Sequence, residues 1–438
     1  MRLNVGEALS DFWADFWPGL QADWGDDWLS LVFGACVLFV FSQAWLCPLF
    51  GYGAQSAAAG LIVRNFYYPF YLMSLVLAVI CWRQMFSALW RTPLMLSLCA
   101  LCAISYIWSI DPSGTLRRFI ALSFTVLAGY ALAARFSWTR LSEVMALAFT
   151  VMMLGSAFFA IFIPKLGVMH ELFPGAWRGL WLEKNNLGSC MSIGFVAAAS
   201  AALHNPRRRL FWWIMAAGMI VVTVLSTSKT SLVCLMLGMG GIAFIYLSRR
   251  GPILGILLTW LAVSVLLALC GLVMFAPDKL YLLLGKDATL TGRTFIWEGI
   301  SRVMESRPLL GYGYGVVWTD EGDYAPLAKI TAVAGFRAYH AHSCWYETWL
   351  GLGIVGLSIW ALVFAETWLK GLFRMLRGDG GYFALPLIGI YSLSSLTESM
   401  ALSWNDLRWS LFVLVLVKLS LPRDEDSKDL NINRGRWS

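Results

Sequence analysis

Residues 252–275 read Pro-Ile-Leu-Gly-Ile-Leu-Leu-Thr-Trp-Leu-Ala-Val-Ser-Val-Leu-Leu-Ala-Leu-Cys-Gly-Leu-Val-Met-Phe, a run without one charged side chain. As an α-helix this run is about 36 Å long, enough to cross the roughly 30 Å hydrocarbon core of a bilayer. Its apolar residues are continuous, whereas the strands of a membrane barrel alternate between apolar and polar. Similar runs lie on both sides of it, near 29–47, 67–82, 93–109, 119–134, 141–163, 187–203, 210–225, 230–247, 343–369, 382–397 and 409–421. The pattern predicts an all-α polytopic membrane protein with about twelve transmembrane helices. Composition agrees: 59% hydrophobic and 13% charged residues, 23 Trp in 438 positions and a mean hydropathy of +0.67 lie far outside soluble domains.

The runs divide the chain into an interfacial amphipathic segment (1–28), a first set of spans (29–275), a large polar loop (276–342), a second set (343–421) and a charged cytoplasmic tail (422–438). The first segment is acidic and aromatic, with Phe12, Trp13, Phe16 and Trp17 at helical spacing. It lacks the basic start of a cleaved signal peptide. Lys and Arg set the orientation. With Met1 inside, the inner loops carry Arg83, Arg91, Arg135, Arg140, Arg207, Arg208, Arg209, Arg249, Arg250, Lys370, Arg374 and Arg377. The outer loops carry fewer: Arg64, Arg117, Arg118, Lys165, Arg178, Lys184, Lys229 and Arg408. The large loop then faces outward, into the periplasm of a bacterium. The net charge of +7 is spread over loops between spans, which points to membrane lipids and not to nucleic acid.

Cations held on the translocated side run against the topogenic preference, and binding an anion is the simplest reason to retain them. They occur in five places. Asp111 opens a turn before Arg117 and Arg118. Trp177-Arg178-Gly179 leads to Lys184-Asn185 at a helix start, where free backbone N–H groups favour an anion. Ser226-Thr-Ser-Lys229-Thr-Ser places one cation against hydrocarbon, which is costly. Thr291-Gly-Arg293 opens an amphipathic helix carrying Ile296, Trp297, Ile300, Val303 and Met304, followed by Pro308-Leu-Leu-Gly-Tyr312-Gly-Tyr-Gly315. Last comes Tyr339-His340-Ala-His342-Ser343, with Glu347 five positions on and Gly351, Gly353 and Gly356 beyond. Two of the chain's four histidines sit there, and imidazole is the side chain that titrates nearest neutrality. Taken singly these have bland readings. The 311–315 glycines suit a plain turn, the 351–356 glycines close helix packing, Tyr312 and Trp345 interfacial anchoring, and a histidine at an interface a satisfied hydrogen bond. Their convergence on one face is what argues for a site. The cysteines, including the Cys99/Cys102 pair, read as small hydrophobes, with no disulfide and no metal set expected.

Gly179 with Lys184-Asn185, Ser-Lys-Thr at 228–230, Gly292-Arg293 with Trp297, Pro308-Leu-Leu-Gly-Tyr-Gly313, and Ala341-His342-Ser343 followed by Gly353 and Gly356 resemble the motifs of the bacterial O-antigen ligase and O-antigen polymerase superfamily. Within it the chain looks most like exopolysaccharide polymerases of the succinoglycan type. The motif-bearing resemblance covers about residues 178–360. It implies a metal- and cofactor-independent inverting glycosyltransferase of the inner membrane, with its site facing the periplasm. The implied donor is a glycan on undecaprenyl pyrophosphate, and the acceptor another lipid-linked glycan or the lipid A core. Other polysaccharide-assembly proteins are implied partners.

Carried over by position, Arg293 and Lys229 are expected to bind pyrophosphate and His342 to act as base or acceptor-orienting group. His340 is its rival. The family more often has Arg where this chain has Lys229, which loses a bidentate fork on phosphate. Lys184, Arg178, Arg117, Arg118, Asn185, Glu347 and Tyr312 complete the expected substrate-binding set, with Glu347 as an orienting group for the histidine. A polymerase is the favoured reading, an O-antigen ligase the second. A lipid-linked oligosaccharide flippase or transporter is the alternative of another class, and predicts internal repeats and mid-span charges that the chain does not display.

Overall fold

A computed structural model of the chain describes residues 28–51, 57–170, 173–275, 292–319, 322, 325–377 and 381–422. The expected interfacial segment, most of the first part of the large loop and the charged tail lie outside the described residues. Among those described, the chain is helical. In order, the helices are α1 (Trp28–Phe41), α2 (Leu46–Phe50), α3 (Ala57–Phe66), α4 (Tyr68–Ile80), α5 (Trp82–Arg91), α6 (Pro93–Ile104), α7 (Pro112–Arg135), α8 (Trp138–Phe162) and α9 (Pro164–Gly167). There follow α10 (Lys184–His204), α11 (Arg209–Leu225), α12 (Lys229–Ser248), α13 (Pro252–Phe275), α14 (Arg293–Met304), α15 (Pro326–Ala334), α16 (Cys344–Leu376), α17 (Ala384–Thr397) and α18 (Leu407–Ser420).

Among the described residues, six helical stretches are long and apolar enough to cross a membrane: Gly60–Ile80, α7, α8, α10, α12 and α16. Four further apolar helices are shorter, so the expected count of about twelve is not established by length. A further pair, α5 with Pro93–Ile107, is bent by 88° at Thr92. The cause is local. Pro93 disfavours helical geometry at the preceding residue, and Thr92 sits at φ −132°, ψ 53°. Its hydroxyl donates back to the Ala88 carbonyl at 2.9 Å. The α5 arm exposes Trp82, Phe86 and Trp90, aromatics suited to a membrane interface.

The centre of the bundle is α10 and α18. Helix α10 packs against α8, α11 and α12, and its alanines at 197–199, 201 and 202 allow close approach. Helix α18 packs against α7 and α16 and is buried along nearly its whole length; its apolar run Leu411–Val417 suits that, and the buried Lys418 is satisfied by the Phe136 carbonyl at 2.6 Å. On one end of the bundle α14 packs on α15 around Ile296, Ile300, Val303, Met304 and Ile330, a small separate core.

That cap is tied down by a device the glycine motifs did not reveal singly. Helix α16 is broken at Gly353, which has φ +66°, ψ −166°. The Pro308–Gly313 strand of chain fits into the break: Tyr312 and Gly313 N–H donate to the Leu350 and Gly351 carbonyls at 3.1 and 2.9 Å, while Ile354 N–H donates to Pro308 at 2.9 Å. A Cβ at Gly353 would lie 2.1 Å from the Leu309 carbonyl oxygen. The two glycine segments thus form one interlock, where the sequence suggested a plain turn and a packing face. The same strap is bonded to the start of α7, with Ile110 N–H donating to Tyr312 at 3.0 Å and the Trp108 indole to Leu310 at 2.9 Å.

Candidate active site

The turn before α16 is held by its main chain. Ala341, between the two histidines, donates its N–H to the Glu347 carboxylate at 2.9 Å and accepts the Trp297 indole at 2.8 Å. Trp297 comes from α14, and its ring stacks on Tyr346 at 5.1 Å and 3°. The other oxygen of Glu347 accepts the Trp318 indole. His342 is thereby held at φ +53°, a left-handed conformation uncommon outside glycine.

This clamp brings the rings of His340 and His342 to 3.9 Å between centroids, 53° apart in tilt. The Nδ1 atoms of both are buried without a hydrogen-bond partner. A buried unpaired nitrogen is costly, so a pair of them needs a reason. Burial, with Arg293 and Arg408 nearby, lowers His340 to about 4. Burial, His340 and Arg293 lower His342 to about 3. Both rings are therefore neutral at pH 7 and able to accept a proton.

Arg293 acts on both rings and Arg408 on His340, and Arg118 shares a cavity wall with His340. Arg293, first residue of α14, donates to the Thr397 carbonyl at 2.6 Å and lies 3.7 Å from the Glu398 carboxylate. Arg118 donates to the Thr319 hydroxyl at 2.9 Å and stacks over Trp404 at 5.4 Å, while its Nη1 is buried without a partner. Arg408 is paired with Asp406 at 2.8 Å. A cavity of about 330 Å³ is walled by Arg118, Tyr314, Trp318, His340, Glu347 and Trp404. It is His340, not the expected His342, that lines it. Three of the five sequence places, around Arg118, Gly313–Gly315 and the histidines, thus meet at one cavity.

Lys184, Asn185 and Lys229 form a different group where α10 and α12 begin. Lys184 Nζ lies 3.3 Å from the Thr227 hydroxyl and 3.5 Å from the Phe173 ring centre. The Asn185 amide oxygen accepts from Ser228 at 2.8 Å. The segment after α17 approaches the start of α10, where Asn186 and Cys190 share a small cavity with Asp406 and Arg408.

Three expected site residues are placed otherwise. Arg178 is buried, and its guanidinium donates to the Leu166 and Lys165 carbonyls at 2.7 and 2.9 Å. It braces the α9 turn, so it is corrected from ligand to structural group. Tyr312 is likewise buried, its hydroxyl donating to Val303 at 2.9 Å and pairing with Ser306 at 2.7 Å, so its ring is not open to a sugar. Glu347 meets the histidine turn at the Ala341 N–H, and its other oxygen at the Trp318 indole. Sequence reading passed over Glu398, Trp318 and Trp404, and noted Arg408 only as a loop charge. The one signal was the polar Trp404-Asn-Asp-Leu-Arg408 between apolar runs.

Residues 214–361 match the model of the O-antigen ligase family, a stretch that contains Lys229, Arg293, His340 and His342. Over 375 residues the chain is 26% identical to the exopolysaccharide production protein ExoQ of Rhizobium meliloti (strain 1021), covering 81% of each chain. The multi-pass helical fold, the motifs and these two matches agree, and the resemblance of the chain to the O-antigen ligase and O-antigen polymerase superfamily holds.

Proposed function

We propose that the protein is an inner-membrane glycan polymerase or ligase, with polymerase favoured, that moves a glycan from undecaprenyl pyrophosphate to a glycan acceptor at the periplasmic face. The observation that carries this reading is the close His340–His342 pair, with both Nδ1 atoms unpaired, beside a cavity that His340 and Arg118 line together, with Arg293 acting on both rings.

In the proposed transfer the acceptor hydroxyl oxygen attacks the anomeric carbon from the side opposite the pyrophosphate. The new carbon–oxygen bond forms as the bond to pyrophosphate breaks, inverting the anomeric centre. The electron pair leaves on undecaprenyl pyrophosphate, a good leaving group that needs cations more than a proton. Arg293 supplies a guanidinium for those oxygens. The acceptor proton passes to an imidazole nitrogen of the histidine pair, with His342 as the base and His340 beside the cavity. Burial is the main cause that holds both rings below their ordinary basicity; pyrophosphate bound at Arg293 offsets the smaller contribution of that guanidinium, so the base strengthens when the donor is in place.

The test is reconstitution of the purified protein in liposomes with an undecaprenyl-pyrophosphate-linked repeat unit. Growth of the glycan with release of undecaprenyl pyrophosphate is expected. Movement of the intact lipid-linked glycan across the bilayer without growth would instead favour a flippase. An O-antigen ligase is the second reading, favoured by the description of the matched family model. It differs in joining the glycan to lipid A core and forming no polymer.

A further inference from the structure

A second cavity, of about 400 Å³, lies beside the first and shares Arg118 and Trp404 with it. Its walls carry three arginines, Arg64, Arg117 and Arg118, together with Gln43 and Asn405. Asn405 is fixed in place: its amide oxygen accepts the Tyr71 hydroxyl at 2.6 Å, its carbonyl accepts Gln43 at 3.2 Å, and its N–H donates to Thr125 at 2.8 Å. The arginines are not spent on such bracing. Neither Arg64 nor Arg117 has a hydrogen-bonded or ion-paired partner among the described residues, and Arg118 Nη1 is buried and unpaired. Against these three charges stands Asp111, whose carboxylate is held by the Gly114 N–H and Ser113 hydroxyl and acts on Arg117 and Arg118 from the cap of α7. The balance in the cavity is positive, and guanidinium groups suit phosphate oxygens. One wall of the cavity is Gly60, Val63, Arg64, Tyr67 and Tyr71, from a helical stretch long and apolar enough to cross a membrane that exposes Leu61 and Ile62 beside them in sequence.

We infer that this cavity binds the phosphate-bearing head of a second lipid-linked molecule, the acceptor, so that donor and acceptor meet across Arg118 and Trp404. The inference rests on the transferase reading above. It favours a polymerase, because only a polymerase takes a polyprenyl pyrophosphate on both sides. Arg118, with one guanidinium nitrogen on Thr319 and another unpaired, stands in the shared wall and can contact either head group.

The experiment is native mass spectrometry of the purified full chain titrated with undecaprenyl pyrophosphate. Wild type is expected to hold two molecules. The double variant Arg64→Ala/Arg117→Ala, at two exposed positions, is expected to hold one, with the second dissociation constant raised at least tenfold or so. Arg293→Ala is expected to lose the other molecule. A double variant that still holds two overturns the inference. So does a second site that phosphatidylglycerol or inorganic pyrophosphate fills as tightly, since those outcomes make it an ordinary lipid or free-phosphate site. If Arg293→Ala keeps both molecules while the double variant loses one, the donor assignment fails and the second site stands.

Discussion

Glu347→Gln isolates the clamp on the histidine turn. The carboxylate accepts the Ala341 N–H at 2.9 Å on one oxygen and the Trp318 indole on the other, with the Ser399 hydroxyl as a further donor. The carboxamide keeps one acceptor oxygen and presents an NH2 to the second donor. One charge-assisted hydrogen bond is lost, about 1.5–3 kcal/mol, and with it the register of Ala341 between His340 and His342. If that energy is felt wholly in the transition state, transfer slows by roughly 10- to 150-fold. Because Arg293 and Arg118 are untouched, the loss is expected in kcat with the donor KM near its wild-type value. Glu347→Asp, which keeps both oxygens on a shorter arm, is expected to recover part of the rate. The assay is glycan growth on a lipid-linked repeat in liposomes, with thermal unfolding in detergent run alongside. A Glu347→Gln protein that folds normally and retains kcat within about twofold would refute the positioning role.

Other consequences are as direct. Gly353→Ala places a side chain at φ +66° and 2.1 Å from a carbonyl oxygen, so folded yield and detergent thermal stability are expected to fall sharply, by several kcal/mol. Arg178→Ala is expected to lower the unfolding temperature through loss of the carbonyl bonds at Lys165 and Leu166, while surviving molecules keep their KM for the donor. The two imidazoles have folded values of about 4 and about 3, below an ordinary unfolded value near 6.5. The unfolded chain therefore takes up protons first as pH falls, and the stability they contribute, present above about 6.5, is lost between there and about pH 3. For the same reason kcat/KM is expected to stay level down to about pH 5, read from initial rates across pH; an acid limb centred near 6.5 would contradict the neutral pair.

The helical, membrane-spanning class was readable because continuous apolarity is a one-dimensional signal, but the runs did not show where helices break: 29–47 divides into α1 and α2 at a turn, and 93–109 leaves the α-helix after Ile104. The expected amphipathic helix at 293–304 was readable for the same kind of reason, its Ile296, Ile300 and Val303 spacing matching the buried face. What connects distant segments left no such trace. Gly353 and Gly311 each suggested an ordinary local use, because the interlock between them is made by backbone groups that every residue carries. Arg178 and Arg117 look alike as outer cations, yet one turns inward to carbonyls and the other faces a cavity. Glu347 was visible as an acid near the histidines, but its grip on Ala341 depends on how the turn folds back over α16. Arg408 and Glu398 joined the site only because the loop after α17 is carried beneath the cap.

The central claim is that the histidine pair and Arg293 perform the transfer. The most direct measurement is the initial rate of glycan growth from an undecaprenyl-pyrophosphate donor by purified wild type, His342→Ala and Arg293→Ala, with folded yield matched. The account expects each variant to lose at least about 100-fold, in line with removal of a general base or of a cation on the leaving group. Wild-type rates in both variants would contradict it.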